Sequence, residues 1–242
     1  MTTTLVTGAT RGIGREVVRR LVEEGHTVYL GARDISAGEK VAAELGARAI
    51  QLDSTDPASI QAAVDRLRAE VGSLDVLVNN AGISGEQRPI AEATPDDLRA
   101  VFETNVFGAA AVIRSVTPLL EASDAPVVVN VSSAVGSLAL NSAPDARWSI
   151  LAYPMSKAAL NMLTIQYARA FPRWRVNSAT PGLTATEFTG TKPDEARIAA
   201  LRSSGVQVNS VEEGADIIVR LALGGPDGPT GTFVGNDGPV PW

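Results

Sequence analysis

A phenol and an ammonium group stand four residues apart in the segment LAYPMSKAAL, at Tyr153 and Lys157. This segment has the pattern of a helix, and residues four apart lie on one helical face. An ammonium about 4 Å from a phenol, at an effective dielectric of about 20, stabilises the phenolate by roughly 4 kcal/mol. That is about the free energy needed to bring a tyrosine pKa from about 10 to neutrality, so the pair could transfer a proton. The alternative is an amphipathic helix with two polar side chains that reach solvent, and other motifs must decide.

A glycine-rich turn follows the first predicted strand, with Gly8, Gly12 and Gly14 in TGATRGIG. Glycines let the backbone turn tightly and bring amide groups close to a diphosphate at the N-terminus of the next helix. The spacing differs from the usual dinucleotide motif G-x-G-x-x-G, and a plain strand-to-helix turn would look similar. Its place after the first strand of an α/β chain favours nucleotide binding.

The elements that must position these motifs alternate between short β-branched runs and helical patterns. This alternation predicts βαβ units and a parallel sheet covered by helices on both faces. Helix starts are predicted at Asp56, Thr94 and Ser210, where a capping side chain precedes a proline or an acid. The predicted strands are TLVT, TVYLGA, RAIQLD, LDVLVNN, PVVVNVS and RVNSAT. The first helix is predicted to bury an apolar stripe formed by Ile13, Val17, Val18, Leu21 and Val22.

Composition narrows the classes of function. The 242 residues, 45% of them hydrophobic, suit one globular domain over residues 1–242. The absence of cysteine excludes thiolate catalysis and disulfides, and the single histidine, His26, lacks the partners of a metal site or a catalytic triad. A net charge of −6 with scattered Lys and Arg predicts no nucleic-acid partner. Short apolar runs and no signal-peptide core predict no membrane partner and a cytoplasmic protein.

Three motifs in order, TGATRGIG, NNAG at residues 79–82 and YPMSK, resemble the short-chain dehydrogenase/reductase family over essentially the whole chain. The resemblance implies an α/β fold: a single Rossmann-type, doubly wound parallel sheet of about seven strands with helices on both faces. It also implies an NADP(H) or NAD(H) cofactor. The residues that it assigns to cofactor binding are Gly8, Thr10, Arg11, Gly12, Ile13, Gly14, Arg33, Asp53, Ser54, Asn80, Ala81, Gly82, Tyr153, Lys157, Pro181, Gly182, Thr184 and Thr186.

The end of the second strand, YLGARD, bears on the choice between the two cofactors. NAD-preferring relatives usually place an acid where this chain has Ala32, and the next residue here is Arg33. A guanidinium suits a 2′-phosphate, and Arg11 lies where a second cation could reach it. These arginines predict NADP(H) over NAD(H), although each could be a solvated surface charge. Asp34 would favour NAD(H) if it turned inward, or it could be the surface partner of Arg33.

Hydride transfer to a carbonyl needs a proton donor and a polar group that holds the oxygen as charge develops. By the resemblance, Tyr153 is the donor, Lys157 lowers its pKa and holds the nicotinamide ribose, and Ser133 bonds the substrate oxygen. Asn105 matches the family asparagine that holds a water behind the lysine. Ser132 is the alternative to Ser133. In the same way Thr186 matches the family threonine near the nicotinamide carboxamide, and Thr184 is its close competitor.

Ser133 and Tyr153 are 20 positions apart, which exceeds the usual family separation, so the segment before the Tyr153 helix holds an insertion. The insertion, with TNVFG, GARD and the ending VPW, is similar to the carbonyl reductase branch. It leaves open whether the protein is a monomer or a homo-oligomer. Substrate is expected to meet this insertion and a loop of about residues 181–209, rich in Thr, Gly and Ser. The pocket-lining candidates are Trp148, Leu151 and Phe188.

The expected function is NADPH-dependent reduction of a ketone or aldehyde to an alcohol by hydride transfer, with a small carbonyl or alcohol molecule as partner. The same residues permit an NADP-dependent alcohol dehydrogenase that works in the oxidative direction. A non-catalytic NAD(P)-sensing protein is the third hypothesis. It has no need of the complete set Asn105, Ser133, Tyr153 and Lys157.

Overall fold

The molecule is built around one sheet, in a computed structural model that describes residues 2–86, 88–144, 146, 149–189 and 194–242. The strands within these residues are β1 (Thr3–Val6), β2 (Thr27–Ala32), β3 (Arg48–Gln51), β4 (Val76–Asn79), β5 (Val127–Val131), β6 (Arg175–Ala179), β7 (Phe233–Gly235) and β8 (Gly238–Pro239). Their order is β3-β2-β1-β4-β5-β6-β7-β8, and every neighbouring pair is parallel except β7 and β8. The strand order reverses beside β1, which leaves a crevice at the carboxyl ends of β1 and β4.

Helices cover both faces of the sheet. Those of the described residues are α1 (Gly12–Glu23), α2 (Ile35–Leu45), α3 (Pro57–Glu70), α4 (Pro95–Phe102), α5 (Ala109–Glu121), α6 (Leu138–Asn141), α7 (Ala152–Ala170), α8 (Glu195–Ser203) and α9 (Val211–Ala222). None of the described helices is both long and apolar enough to cross a membrane.

Alternation along the strands sends neighbouring side chains into two cores. Leu5 of β1 belongs to the core that contains α3 and α5, whereas the next residue, Val6, belongs to the core beneath α1 and α9. In the same way Leu77 and Val78 of β4 face opposite sides. A parallel sheet buried on both faces explains why the strands read as continuous apolar runs instead of alternating polar and apolar residues. The predicted Rossmann-type sheet with two helical layers is confirmed.

The predicted helix starts are confirmed. The Asp56 carboxylate accepts a hydrogen bond from the Ala58 amide, and Thr94 and Ser210 each form a complete capping box. The stripe predicted on α1 is also buried, since Val17, Val18 and Leu21 are fully enclosed with α9 and the sheet, and Ile13 and Val22 pack beside them.

Two parts of the chain differ from the prediction. The short strands β7 and β8 did not stand out in the sequence, because three and two residues give too short a pattern. The segment 181–209, predicted as an irregular loop, contains α8, whose start is capped by Asp194. The Thr, Gly and Ser content of the segment concealed this nine-residue helix.

A π-helical turn, Glu103–Gly108, joins α4 to α5, so the predicted long helix is continuous but locally widened. Such turns occur as single insertions inside α-helices and often at functional sites. This one carries Asn105, which is buried.

Candidate active site

Ser133, Tyr153 and Lys157 come together where β5 ends and α7 begins. Ser133 lies two residues beyond the end of β5 in an extended conformation, and its side chain hydrogen bonds to the Tyr153 phenol. The Lys157 Nζ donates to the carbonyl oxygen of Val131 over 2.8 Å and lies 5.6 Å from the centroid of the Tyr153 ring. Two hydroxyl groups and one ammonium therefore converge at the carboxyl edge of the sheet.

Burial sets the protonation of this pair. It raises the pKa of Tyr153 to about 12, and the hydrogen bond with Ser133 opposes that rise without cancelling it. It also lowers the pKa of Lys157 to about 8. In the chain by itself the Tyr153 pKa stands above its usual value, because desolvation has the largest influence on it. That Lys157 lowers this pKa stays a prediction. With this pKa, Tyr153 keeps its proton at neutral pH.

The buried ammonium leads to a prediction about stability. Below pH 8, Lys157 is charged in the folded and the unfolded chain, and the folded state bears the full cost of desolvation. Between pH 8 and 10.5 the unfolded chain binds more protons, so the free energy of unfolding rises with pH. From pH 8 to 9.5 we expect a rise of roughly 2 kcal/mol relative to Lys157→Met. Urea denaturation of both proteins across this range measures it, and parallel pH profiles would contradict it.

A chain of buried hydrogen bonds fixes α7 on the sheet. Asn79 of β4 donates to the Asn130 Oδ1 over 2.9 Å, and Asn130 of β5 donates to the Thr164 Oγ1 of α7 over 2.8 Å. Thr164 is also 2.8 Å from the Ser178 hydroxyl of β6. The chain ties α7 to three strands, which holds Tyr153 and Lys157 in register with Ser133. Asn130 and Thr164 were missed in the sequence, where each looks like an ordinary polar residue within an element.

Asn105 acts as a buried clamp. Its side chain accepts a hydrogen bond from the Ile83 amide over 2.8 Å and donates to the Ile83 carbonyl over 2.9 Å. It also donates to the Ser156 Oγ over 3.0 Å, and Ser156 donates to the Tyr153 carbonyl over 2.7 Å. Asn105 thus joins the loop after β4 to the first turn of α7. Its predicted role in holding a water stays a prediction, and Ser156 is a positioning residue that the sequence did not reveal.

The glycine turn packs directly on the NNAG segment. A methyl group added to Gly8, whose φ is +62°, would stand 2.8 Å from the Ala81 Cα. One added to Gly14 would collide with the Asn80 Nδ2, which itself donates to the carbonyls of Thr7 and Gly8. These two glycines are required by contact within the protein. Gly12, with φ of +55°, faces Thr186 across a more open gap.

The N-terminus of α1 fits an anionic group. Arg11 occupies the capping position in an extended conformation, and within the described residues no side chain caps this helix. Side chains cap α2, α3, α4, α6, α8 and α9, whereas α5 and α7 also begin without a side-chain cap. The first amides of α1 therefore remain available to a diphosphate at the carboxyl edge of β1.

The two charged residues that follow β2, Arg33 and Asp34, make different contacts. Asp34 caps α2 through its Oδ1, which accepts from the amides of Ser36 and Ala37, and the ion pairs of the described residues do not join it to Arg33. Arg33 is exposed beside Asp53. Burial opposes ionisation of Asp53, but hydrogen bonds from Thr55 and the charge of Arg33 prevail and hold its pKa below the usual value. Arg33 is thus free of Asp34. The adjacent Ser54 is buried against Gly108.

The segment after β6 returns over the glycine turn. Thr184 donates to the carbonyls of Pro181 and Gly182 and packs on Gly214, so its side chain stabilises the loop itself. The Thr186 Cγ2 would lie 3.6 Å from a methyl group on Gly12, which places Thr186 on the crevice. This contact favours Thr186 over Thr184 for the predicted role.

The two candidate serines also differ in their contacts. Ser132 is buried, and its Oγ has no hydrogen-bond partner among the described residues, whereas the Ser133 side chain hydrogen bonds to Tyr153.

The insertion before α7 begins with a 3-10 turn, Ala134–Gly136, and α6. The Ser137 hydroxyl donates to the Pro241 carbonyl over 2.6 Å, and the Ala139 amide donates to Trp242 over 2.9 Å. The ending VPW therefore packs on the insertion. Of the pocket candidates, Phe188 lies with its ring 5.5 Å from that of Tyr153, Leu151 is half-buried directly before α7, and Trp148 is outside the described residues.

Comparison with known proteins agrees with this arrangement. A family model described as short chain dehydrogenase matches residues 2–197. The chain belongs to the short-chain dehydrogenase family. A short-chain dehydrogenase/reductase, ATR10, from Stachybotrys chlorohalonatus is 36% identical, over 98% of this chain and 93% of that protein.

Two solved structures of the family share its fold. Salutaridine reductase from Papaver somniferum is 28% identical with a TM-score of 0.79, over 96% of this chain and 99% of the other. NADPH-bound carbonyl reductase from chicken fatty liver is 26% identical with a TM-score of 0.82, over 100% and 99%. The short-chain dehydrogenases are oxidoreductases with nicotinamide cofactors, and the uncapped α1 beside the glycine turn fits such a group.

Proposed function

We propose that this short-chain dehydrogenase reduces a ketone or aldehyde to an alcohol with NADPH. The observation that carries the proposal is the hydrogen-bonded pair of Ser133 and Tyr153, whose phenol keeps its proton at neutral pH. Bound beside this pair, the nicotinamide would supply a hydride to the carbonyl carbon. The name of the structural neighbour from chicken fatty liver, a carbonyl reductase with NADPH bound, supports the same reaction.

Each residue of the site has a distinct part in this proposal. Ser133 donates a hydrogen bond to the carbonyl oxygen, and Tyr153 gives that oxygen its proton as charge develops. Lys157, held by the Val131 carbonyl, places a positive charge near the phenol once the proton has left. Asn105 and Ser156 hold the first turn of α7 in place. Residues 181–209 and the insertion are proposed to shape the substrate pocket.

The protonation of Tyr153 favours reduction over oxidation. Oxidation of an alcohol needs the phenolate as a base, and a pKa of about 12 makes that form scarce at neutral pH. Oxidation is therefore expected to become efficient only at alkaline pH. A non-catalytic sensor is disfavoured because the hydrogen bonds around Tyr153 position a reactive group that cofactor binding alone does not require.

The proposal is tested by NADPH consumption with aldehydes, cyclic and aromatic ketones, and ketoesters at neutral pH. We expect turnover with at least one class, and slower turnover when NADH replaces NADPH. Failure across the whole panel, with NADPH binding intact, would favour the sensor hypothesis.

The cofactor preference gives a separate prediction. Arg33→Ala is expected to weaken NADPH binding by about tenfold and to leave NADH binding within twofold, because a guanidinium–phosphate hydrogen bond is lost. The control is Arg68→Ala, which removes the same charge from α3 at its ion pair with Asp65. Nicotinamide fluorescence titration measures both cofactors. Equal weakening of NADPH and NADH would contradict the phosphate role of Arg33.

A further inference from the structure

Residues 186–188, which we call the strap, span the crevice from the glycine turn to the catalytic tyrosine. Thr186 faces Gly12, and the Phe188 ring lies 5.5 Å from the Tyr153 ring at an angle of 59°. Between them, the Glu187 carboxylate accepts a hydrogen bond from the Arg11 Nη1 over 3.3 Å. The strap therefore touches the turn proposed to hold phosphates and the group proposed to donate the proton.

Arg11 has two alternative partners. It lies at the start of α1, and its side chain is 68% exposed. When it pairs with Glu187, one of its terminal nitrogens is engaged and its charge is balanced by the carboxylate. A 2′-phosphate is also an acceptor for this guanidinium and carries more negative charge than a carboxylate. The two anions therefore compete for one cation.

We propose that Glu187 is an internal competitor of the cofactor's 2′-phosphate for Arg11, so that the ion pair latches the strap and the phosphate releases it. The inference rests on the proposed preference for NADP(H). Because coupling between two sites is reciprocal, a carboxylate that weakens phosphate binding must itself be loosened when the phosphate binds. A cofactor without that phosphate leaves the latch in place.

The strength of the pair suits such a latch. Both side chains are well exposed, 68% for Arg11 and 42% for Glu187, and ion pairs between exposed groups contribute little. A weak ion pair of this kind favours the position of the strap beside Arg11, and a phosphate dianion can displace the carboxylate from the guanidinium. Removal of the carboxylate should accordingly tighten binding of a 2′-phosphate by about threefold.

Two nucleotide probes without a nicotinamide separate this effect from catalysis. Adenosine 2′,5′-bisphosphate carries the 2′-phosphate, and adenosine 5′-monophosphate lacks it. Calorimetric titration of the full protein with each probe gives a ratio of affinities. Glu187→Gln is expected to bind the bisphosphate about threefold more tightly and to leave the monophosphate unchanged. The matched control is Glu195→Gln, which removes one negative charge from the same segment, at the start of α8.

Hydrogen exchange of the strap amides provides the second measurement. In the wild type, the bisphosphate should accelerate exchange at residues 186–188 and the monophosphate should not. In Glu187→Gln, exchange should be fast without any nucleotide, and in Glu195→Gln it should resemble the wild type.

The outcomes distinguish the latch from the function on which it rests. If the wild type prefers the bisphosphate but Glu187→Gln leaves the affinity ratio and strap exchange unchanged, the latch is wrong and the NADP(H) preference stands. If Glu187→Gln and Glu195→Gln tighten both probes equally, the effect is general electrostatics and the latch is wrong. If the wild type binds both probes equally, the phosphate role of Arg11 and the latch fail together.

Discussion

Replacement of Tyr153 by phenylalanine is expected to lower kcat by a factor of about 10² to 10⁴ while NADPH binding stays within about twofold of wild type. The substitution removes the hydroxyl that hydrogen bonds to Ser133 and keeps the ring that faces Phe188. The proton donor is lost with little change in packing. Single-turnover measurements with saturating NADPH report the chemical step, and nicotinamide fluorescence reports cofactor binding.

The control for this variant lies on the same helix. Tyr167 is also on α7, and its ring stacks on Phe171 at 5.8 Å. Tyr167→Phe should leave kcat unchanged, so a general sensitivity of α7 to loss of a hydroxyl would be detected. Turnover of Tyr153→Phe within twofold of wild type would show that the proton comes from another group, and Ser133 would be the next residue to replace.

The second large effect is expected on stability, from Gly136→Ala. Gly136 ends the 3-10 turn after β5 and lies directly against α7, where an added methyl group would stand 2.7 Å from both the carbonyl carbon and the Cβ of Lys157. Most of that contact is backbone and cannot rotate away. We expect the free energy of unfolding to fall by about 3 kcal/mol. In the folded fraction, kcat should also fall, because the turn and Lys157 are forced apart.

Gly72→Ala is the control variant against which the loss of stability in Gly136→Ala is compared. Its φ is +74° and an added methyl group meets nothing within 4 Å, so it bears the cost of a left-handed conformation without a collision. That cost is about 1 kcal/mol. Urea denaturation gives both values, and turnover should change only in Gly136→Ala. Equal stabilities for the two variants would mean that the turn and α7 separate easily at Gly136.

The sequence predicted those parts of the fold that repeat a local pattern. Strands of four or more residues and helices that begin with a capping side chain were predicted near their observed places, since each signal lies within a few neighbouring residues. The site residues Ser133, Tyr153 and Lys157 were found by motif order, and the structure brings them together. Their catalytic roles are proposals.

What the sequence did not reveal depends on distant contacts or on desolvation. The hydrogen bonds from Asn130 to Thr164 and from Asn105 to Ser156 join residues far apart in the chain. Asp34 as a helix cap was not predicted, although an aspartate directly before a helical pattern is a local capping signal. The rise in the Tyr153 pKa on burial was not predicted, because a charge pair four residues apart is visible in a sequence and the depth of burial is not.

The π-helical turn that holds Asn105 determines what the loss of one residue between α4 and α5 would do. Glu103–Gly108 accommodates a wider turn while α4 and α5 on either side keep regular geometry and bury their own apolar faces. Shortening the turn by one residue would let α4 and α5 merge into one regular helix with both faces preserved. The inward direction of Asn105 would be lost in the process. The widened turn is therefore what directs Asn105 toward Ile83 and Ser156.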